Sequence, residues 1–210
     1  MKKVPVSVVR RLPRYFRYLN ELYKQNKLKV SSKELSEQMN VTASQIRQDF
    51  NHFGGFGQQG YGYNVPTLNQ EMAQILGVNE NFTAIVVGIG NLGHAIVNNV
   101  NFGKRGVKIL GIFDSDPEKI GNLCGKHRIT DIQTIEEFCE KSRPDIAVLT
   151  LPKSQSREMF ERLKRCGIKG FWNFTNAEIR SEKGVAVENV HLADSLMLLT
   201  YSLREQNGEE

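Results

Sequence analysis

The chain has 210 residues, 40% of them hydrophobic, and a net charge of +5, so it can form one large or two small domains with buried cores. It has no apolar run near the roughly 20 residues of a membrane span and no signal-peptide pattern, so we expect a cytoplasmic protein without a membrane partner. Its 3 cysteines and 4 histidines are scattered, which predicts free thiols and no metal site.

Positive charge is concentrated in the first part of the chain. Residues 1–64 contain 11 Lys and Arg against 4 Asp and Glu, whereas the rest contains 17 basic and 19 acidic residues. A basic segment joined to a slightly acidic one indicates that the first part binds a polyanion.

Three helices are predicted in this basic segment. Apolar residues at three- and four-residue spacing predict an amphipathic helix from Arg11 to about Gln25, with Arg10, Arg14 and Arg17 on or near its other faces. Capping boxes at Ser31-x-x-Glu34 and Thr42-x-x-Gln45 predict two more helices, whose inward residues are Leu35, Met39, Ile46 and Phe50.

The last two of these helices are short, and the second is rich in Ser, Gln and Arg. This arrangement is typical of a helix-turn-helix that presents base-reading side chains to a major groove. The alternative is an ordinary helical bundle with a polar outer face. We therefore predict DNA contacts from seven residues: Arg10, Arg11, Arg14, Ser44, Gln45, Arg47 and Gln48.

A glycine- and aromatic-rich stretch follows, Phe53-Gly-Gly-Phe-Gly-Gln-Gln-Gly-Tyr-Gly-Tyr-Asn-Val. As a hairpin after a recognition helix, its slim tip could enter a minor groove, where Gln can hydrogen-bond to base edges. A flexible linker is the alternative. The predicted contacts at this tip are Gln58, Gln59, Gly60 and Tyr61.

A domain boundary is predicted after a connecting helix. Val65-Pro-Thr interrupts the pattern, Leu68 to Leu76 has helical spacing, and Gly77 can cap its end. We assign residues 1–78 to a DNA-binding domain with a linker helix, and residues 79–210 to a nucleotide-binding domain.

The second domain begins with a strand followed by a glycine turn. Gly88, Gly90 and Gly93 have G-x-G-x-x-G spacing with Asn91 and Leu92 between them, and the helix after the turn can direct its N–H groups at a pyrophosphate. The alternative is a tight strand-to-helix turn without a ligand.

A carboxylate is placed where a dinucleotide fold needs one. The strand Val107 to Phe113 ends at Asp114, which is 21 residues after Gly93, where an acid binds the ribose hydroxyls. Because an acid repels a 2′-phosphate, the pattern favours NAD and NADH over NADP and NADPH, which carry that phosphate. A solvated Asp at a strand end is the alternative.

Strands and helices then alternate, which predicts a doubly wound α/β fold with a parallel sheet. Strands are expected at Asp145 to Leu151, Ile168 to Asn173 and Val185 to Val190, with helices opened by Thr134-x-x-Glu137 and at Ser154 to Cys166. Thr150, Pro152 and Phe174 follow strands on the edge where the nicotinamide half would lie. Ordinary loop chemistry is the alternative for each.

The final helix, Ala193 to Leu203, is too apolar for a free surface element. It must pack on its own domain or on a second subunit. Because helix-turn-helix proteins usually read symmetric operators as dimers, a homodimer is a natural partner arrangement.

The chain resembles the Rex family of bacterial redox-sensing transcriptional repressors over nearly its whole length. The resemblance rests on seven stretches: Arg11-Leu-Pro-Arg-Tyr, Ser31-Ser-Lys-Glu-Leu-Ser, Ser44-Gln-Ile-Arg-Gln-Asp-Phe, the glycine- and aromatic-rich stretch, Gly88-Ile-Gly-Asn-Leu-Gly, Phe113-Asp-Ser-Asp-Pro-Glu-Lys and Gly167-Ile-Lys-Gly-Phe-Trp-Asn-Phe. It implies a winged helix, a Rossmann domain, and a homodimer whose terminal helix crosses to the partner. It also implies that NADH releases operator DNA whereas NAD⁺ permits binding.

Two positions depart from the family pattern. Many members have a Tyr in the first Rossmann helix and an Asp after the last strand, whereas this chain has Asn99 and His191. Arg17 matches the family's Arg. The resemblance therefore implies cofactor and DNA binding but leaves the details of the redox switch open at Arg17, Asn99 and His191.

Two other functional classes fit parts of the chain. A small NAD-dependent oxidoreductase would need a substrate domain and a placed proton donor, but residues 82–203 are used by the nucleotide fold. We therefore predict that the protein is not an enzyme. A nucleoid-type DNA binder with a vestigial nucleotide fold would show no effect of NADH on its DNA affinity.

Overall fold

The computed structural model describes residues 4–53, 57–58 and 62–208, which divide into two compact units, Met1–Glu80 and Asn81–Glu210. Each unit contains its own hydrophobic core. The two units are described separately below.

The first unit is helical with a small sheet. Its elements are α1 (Val6–Val9), α2 (Leu12–Lys24), β1 (Lys29–Val30), α3 (Ser32–Met39), α4 (Ala43–Asn51), β2 (Gly57–Gln58), β3 (Gly62–Asn64) and α5 (Val65–Ile75). The three strands form an antiparallel sheet in the order β1, β3, β2.

Both predicted N-caps open helices in this unit. Ser31 Oγ accepts a hydrogen bond from the Glu34 N–H, and Thr42 Oγ1 accepts one from the Gln45 N–H, each at 3.1 Å. Each bond satisfies an amide that has no partner within its helix. Neither capping box is reciprocal, because the Glu34 carboxylate pairs with Lys27 and the Gln45 amide with Asp49.

The core of the first unit forms where α2, α4 and α5 present apolar faces. Leu19, Ile46 and Leu68 are fully buried in it. The ring of Phe50 on α4 packs edge-on against Tyr15 of α2 and Tyr63 of β3, with centroids 5.2 and 5.0 Å away. α4 is therefore packed against both α2 and the sheet.

The second unit alternates strands and helices. Its elements are β4 (Phe82–Val87), α6 (Asn91–Asn99), β5 (Val107–Asp114), β6 (Leu123–Cys124), β7 (His127–Asp131), α7 (Ile135–Ser142), β8 (Ile146–Leu149), α8 (Lys153–Arg165), β9 (Gly170–Asn173), β10 (Ala186–Asn189) and α9 (Leu192–Gly208).

Among the described residues, seven strands form one sheet in the order β10, β9, β8, β4, β5, β7, β6. Neighbouring strands are parallel except for the pair β6 and β7. The chain leaves β4 toward β5 on one side and later returns to β8 on the other. The carboxyl ends of β4 and β8 therefore form the switch point where a doubly wound fold binds ligands.

Both faces of this sheet are covered. Ile85 and Phe113 point into the cluster beneath α7 and α8, whereas Val86 and Ile112 point into the cluster beneath α6. Burial on both faces explains why β4 is continuously apolar. The predicted fold class, a helix-turn-helix domain followed by a Rossmann domain, is confirmed.

The prediction that Thr134 caps the next helix is wrong. Thr134 precedes α7 but does not cap it, because its hydroxyl donates to the Asp131 carbonyl at 2.8 Å. Asp131 Oδ1 instead accepts from the Gln133 N–H and caps a short 3₁₀ turn before α7. The strand β7 was not predicted, because Ile129 is its one buried side chain and it lacks a strong apolar pattern.

The terminal helix α9 leaves its apolar side chains exposed within the single chain. Exposed fractions range from 50 to 69% for Leu192, Leu196, Met197, Leu198, Leu199, Tyr201 and Leu203. An apolar surface of this kind on a helix is typical of a protein contact.

Candidate nucleic-acid interface and nucleotide cleft

A helix-turn-helix is formed by α3 and α4 in the first unit. Asn40 ends α3 in a left-handed conformation with φ +50°, which turns the chain sharply before Thr42 caps α4. Asn tolerates this conformation better than most residues with a side chain. The turn therefore positions α4 as the second helix of the motif.

Five of the predicted DNA-contacting residues are exposed. Arg10 lies on the surface just before α2, Arg14 lies on the surface of α2, and Ser44, Arg47 and Gln48 lie on the surface of α4. Arg47 Nη1 donates to Ser32 Oγ at 3.0 Å, so its guanidinium is held over the start of α3. The other guanidinium nitrogens are left to make further contacts.

Two of the predicted DNA-contacting residues, Arg11 and Gln45, bind the buried Asp49 carboxylate. Arg11 binds the Asp49 carboxylate with two 2.7 Å hydrogen bonds, from Nε and Nη2, and Gln45 Nε2 donates to Asp49 at 2.9 Å. Tyr15 also donates to this carboxylate at 2.7 Å. Asp49 was not identified from the sequence, although its position beside Phe50 and three residues after Ile46 indicates an inward-facing carboxylate.

The ionisation of Asp49 follows from these contacts. Burial, the largest single influence, opposes the charge, but hydrogen bonds from Arg11, Tyr15 and Gln45 together lower the pKa of Asp49 below its ordinary 3.8. Burial, followed by the bond to Asp49, raises the pKa of the Tyr15 hydroxyl. The network therefore holds a carboxylate anion with neutral Tyr15 and cationic Arg11.

The predicted hairpin forms beside α4. β2 and β3 pair antiparallel, with Gly57 opposite Tyr63 and Gln58 opposite Gly62. Gly62 has φ +72°, and a Cβ there would lie 2.8 Å from the Val30 carbonyl oxygen, so a side chain would clash. Gln58 lies in β2, whereas Gln59, Gly60 and Tyr61 lie outside the described residues.

In the second unit, the glycine turn has the geometry its spacing predicts. Gly88 has φ +92°, and a Cβ at Gly93 would lie 2.0 Å from the Gly88 carbonyl oxygen, so Gly93 lets α6 approach β4 closely. A Cβ at Gly90 would meet nothing within 4 Å. The space beside Gly90, at the start of α6, is therefore open for a pyrophosphate, with Asn91 and Leu92 in the first turn.

Asp114 lies at the end of β5 and is 6% exposed. Its Oδ2 accepts from the Ile89 N–H at 2.6 Å and its Oδ1 from the Asp116 N–H at 2.9 Å. A carboxylate has about four acceptor positions, so ribose hydroxyls can still bind. Asp114 therefore also holds the glycine turn in place, a role that the sequence did not reveal.

Lys119 is a further residue of this site that sequence reasoning missed. Its Nζ lies 3.6 Å from Asp114 Oδ2 and 3.2 Å from Asp116 Oδ2. Hydrogen bonding to Asp116, with the nearby Asp114 charge, raises the pKa of Lys119. A cation thus stands beside the carboxylate that is predicted to select against a 2′-phosphate.

The residues predicted to contact the nicotinamide follow the strands β8 and β9. Thr150 Oγ1 donates to the Gly88 carbonyl oxygen at 2.5 Å, which ties the end of β8 to the glycine turn. Pro152 is exposed and precedes α8, and half-buried Phe174 follows β9 and packs on Trp172 with centroids 4.7 Å apart. All three lie at the carboxyl edge of the sheet.

A hydrogen-bond chain runs from this edge to the start of α9. Buried Asn173 bonds to Thr175 and Asn189, at 2.7 Å each between side chains. Asn189 in turn donates to Glu178 Oε1 at 3.2 Å, and Glu178 Oε2 lies 3.1 Å from His191 Nε2. His191 directly precedes α9, so this series of hydrogen bonds links the carboxyl edge of the sheet to the apolar helix.

The remaining switch candidates are Asn99 in the second unit and Arg17 in the first. Asn99 ends α6, donates to the Ala95 carbonyl at 2.9 Å, and lines a cavity of about 490 Å³ with the start of β5. Arg17 is exposed on α2.

Within the described part of the chain, no helix has the length and apolar character to cross a membrane. Across residues 4–53, 57–58 and 62–208, no three His, Cys, Asp or Glu side chains are grouped so as to hold a metal ion.

Two family models match the chain, one in each unit. Residues 3–51 match a model described as "Putative DNA-binding protein N-terminus", and residues 79–177 match one described as a CoA binding domain. The first match includes the helix-turn-helix, and the second includes the glycine turn and Asp114.

Similar proteins cover almost the whole chain. A redox-sensing transcriptional repressor Rex from Caldicellulosiruptor saccharolyticus is 49% identical over 205 residues, which are 98% of this chain and 94% of the relative. A crystal structure of RSP, a Rex-family repressor, in complex with NAD⁺ and operator DNA has a TM-score of 0.89 and 46% identity, and covers 99% of this chain and 95% of that one. A structure of RSP with NADH has the same TM-score, 43% identity, and covers 99% and 97% of the two chains.

Proposed function

The chain belongs to the Rex family of redox-sensing transcriptional repressors, and from this membership we propose a function for each of its two units. The protein represses transcription by binding operator DNA through the first unit, and it releases that DNA when NADH binds the second. The observation that carries this function is similarity over both units at once to a repressor solved with NAD⁺ and operator DNA and also with NADH.

DNA recognition is assigned to the exposed residues of the helix-turn-helix. Arg47, Ser44 and Gln48 lie on the outer surface of α4, where they can reach base edges in a major groove. Arg10 and Arg14 supply positive charge for the phosphates. Gln58, with Gln59, Gly60 and Tyr61 beyond the described residues, is assigned to the hairpin contact with DNA.

Cofactor binding is assigned to the carboxyl edge of the second sheet. The residues present fit a dinucleotide, because the space beside Gly90 is open and the Asp114 carboxylate retains acceptor positions. In this proposal the amides that begin α6 bind the pyrophosphate, and Asp114 binds the ribose. Thr150, Pro152 and Phe174 would contact the nicotinamide half.

The protein acts as a homodimer in this proposal. The apolar side chains of α9 are at least half exposed in the single chain, and a second copy would bury them. A dimer also presents two recognition helices to a symmetric operator. A repressor meets its DNA in the bacterial cytoplasm, which is where we expect it to act.

The alternative of a small oxidoreductase is not favoured. The relatives that cover nearly the whole chain are transcriptional repressors, and RSP is a Rex-family repressor. In this family the oxidised or reduced state of the nicotinamide is therefore a signal that controls whether the protein binds DNA.

The test is a DNA titration by fluorescence anisotropy, with no cofactor, with NAD⁺ and with NADH. A labelled duplex that the full-length protein enriches from a randomised pool serves as the operator. We expect tight binding without cofactor or with NAD⁺, and weaker binding with NADH. Equal affinity in all three conditions would contradict redox control, and equal affinity for a scrambled duplex would contradict specific repression.

A further inference from the structure

The Asp49 carboxylate is fully buried on a helix whose other buried residues are apolar. It accepts four hydrogen bonds, two from Arg11 and one from Tyr15 at 2.7 Å each, and one from Gln45 at 2.9 Å. A buried charge is costly unless it is paired and bonded, so α4 can dock only where all these donors are met.

The donors come from two directions. Arg11 and Tyr15 belong to the beginning of α2, more than 30 residues earlier in the chain, whereas Gln45 lies one turn earlier on α4 itself. The fork of Arg11 spans both carboxylate oxygens and Tyr15 approaches one of them. A one-residue rotation of α4, about 100°, would remove the carboxylate from all the α2 donors.

The rotation of α4 also decides where its outer side chains point. Asp49 faces α2, while Ser44, Arg47 and Gln48 are exposed on the same helix. Helical residues have fixed angular offsets, so the contact that fixes Asp49 also fixes the direction of Arg47. Base recognition needs side chains placed to within a fraction of an ångström.

We propose that Asp49 is a positioning residue for base reading, and that Arg11 and Gln45 act on DNA through Asp49 rather than by direct contact. This inference rests on the proposed function and refines it. It removes two residues from the predicted DNA-contacting set and leaves Arg47, Ser44 and Gln48 to read bases on α4.

The experiment compares affinities for two duplexes in the full-length protein. One is the duplex that wild type enriches from a randomised pool, and the other is a scrambled duplex of equal length and composition. Three variants weaken the network: Tyr15→Phe, Arg11→Lys and Asp49→Asn. Arg14→Ala is the matched control, because Arg14 is an exposed residue of α2, next to Tyr15 in the sequence.

We expect Arg11→Lys and Asp49→Asn to reduce the ratio of the two affinities about tenfold, and Tyr15→Phe to reduce it less. For Arg11→Lys, affinity for the scrambled duplex and the salt slope should stay unchanged, because this substitution keeps the positive charge. A purely structural defect would lower the active fraction without changing this ratio. Arg14→Ala should instead weaken both duplexes equally.

A double-mutant cycle separates indirect from direct action. If Arg11 acts through Asp49, Arg11→Lys should add little in the Asp49→Asn background. Effects that multiply, or a ratio unchanged in every network variant, would overturn the inference. Should Asp49→Asn fail to fold, Tyr15→Phe still decides the matter, because Phe keeps the ring contact with Phe50.

The proposed function and this inference fail differently. If wild type has no preference for its enriched duplex, or no response to NADH, the proposed function is wrong. If wild type behaves as proposed and the network variants keep its specificity ratio, only the positioning role of Asp49 is wrong.

Discussion

The Asp114 carboxylate accepts a 2.6 Å hydrogen bond from the Ile89 N–H, which joins the end of β5 to the glycine turn after β4. The carboxylate predicted to bind the ribose is therefore bonded directly to the turn predicted to bind the pyrophosphate. A change at Asp114 should disturb both the ribose contact and the pyrophosphate contact.

Asp114→Asn should weaken NADH binding by about 1.5–3 kcal/mol, because hydrogen bonds from the ribose and from Ile89 lose a charged acceptor. It should also narrow the preference for NADH over NADPH. Lys119 would lose the Asp114 charge 3.6 Å away and would be free to attract a 2′-phosphate. Calorimetric titration with both cofactors measures this. Asp116→Asn, which changes the other Lys119 partner, is the control, and an unchanged NADH affinity in Asp114→Asn would refute the ribose assignment.

Two exposed arginines of the proposed DNA interface, Arg47 and Arg14, should differ in what they contribute. Arg47→Ala should weaken binding to the enriched duplex by about 1–3 kcal/mol and relax one base position, because Arg47 lies on the outer surface of α4. Arg14→Ala should weaken all sequences alike and reduce the salt slope by about one unit. Anisotropy titrations over a salt series, with single-base variants of the duplex, give both quantities. Identical salt slopes and identical sequence specificity in the two variants would contradict the assignment of Arg47 to a base and Arg14 to phosphate.

How far the sequence predicted this molecule depends on whether a pattern is local. The turn at Gly88 and the caps at Ser31 and Thr42 were predicted because each is defined by a few adjacent residues. The network at Asp49 was not, because its partners Arg11 and Tyr15 lie 38 and 34 residues away, and spacing does not reveal which side chains meet across helices.

The same reasoning explains the other misses. The strand β7 is short and mostly polar, so its place in the sheet follows from pairing with β5 rather than from its own pattern. The helix α9 continues to Gly208, past the apolar pattern that ends near Leu203, because its last residues are polar and carry no periodic signal.

The apolar surface of α9 should hold the dimer together. Leu196→Arg and Leu199→Arg place charge on side chains that are 61 and 55% exposed in the single chain. They should change monomer stability by no more than about 0.5 kcal/mol but weaken association by about 2 kcal/mol or more. Sedimentation velocity over a concentration series would detect the shift, with Gln206→Arg, at an exposed polar position of the same helix, as the control. A mass that stays dimeric in both leucine variants would exclude this helix as the interface.

The Asp49 network should make the first unit sensitive to acid. The folded pKa of Asp49 is below its ordinary 3.8, so its contribution to stability is present above that value and is lost as pH falls through the folded pKa. Asp49→Asn should therefore be less stable than wild type near neutral pH, and the difference should shrink below about pH 4. Hydrogen exchange of α4 peptides in the full-length protein, followed across pH, measures this local stability. A difference that stays constant from neutral to acidic pH would show that the charge of Asp49 contributes nothing.

The two units should be coupled through a reciprocal free energy. NADH should weaken operator binding by about 1–3 kcal/mol, and saturating operator should weaken NADH binding by the same factor. NAD⁺ should shift the DNA affinity little if it binds both states almost equally. Trp172, the single tryptophan, packs on Phe174 beside the proposed nicotinamide site, so its fluorescence can report NADH binding with and without DNA. Unequal coupling factors from the two titrations would mean that some other equilibrium intervenes.

We propose that His191 lies on the route by which this coupling reaches the terminal helix. It pairs with Glu178 at 3.1 Å, and Glu178 is bonded through Asn189 to buried Asn173 at the cofactor edge. If these hydrogen bonds carry the coupling, His191→Ala should reduce the NADH effect on DNA affinity, whereas His191→Gln, which keeps a hydrogen-bonding side chain near Glu178, should retain more of it. DNA titrations with and without NADH on both variants measure this difference. Unchanged coupling in His191→Ala would remove His191 from the switch, whereas loss of all coupling in Asn189→Ala but not in His191→Ala would place the connection in the hydrogen bonds of Asn189.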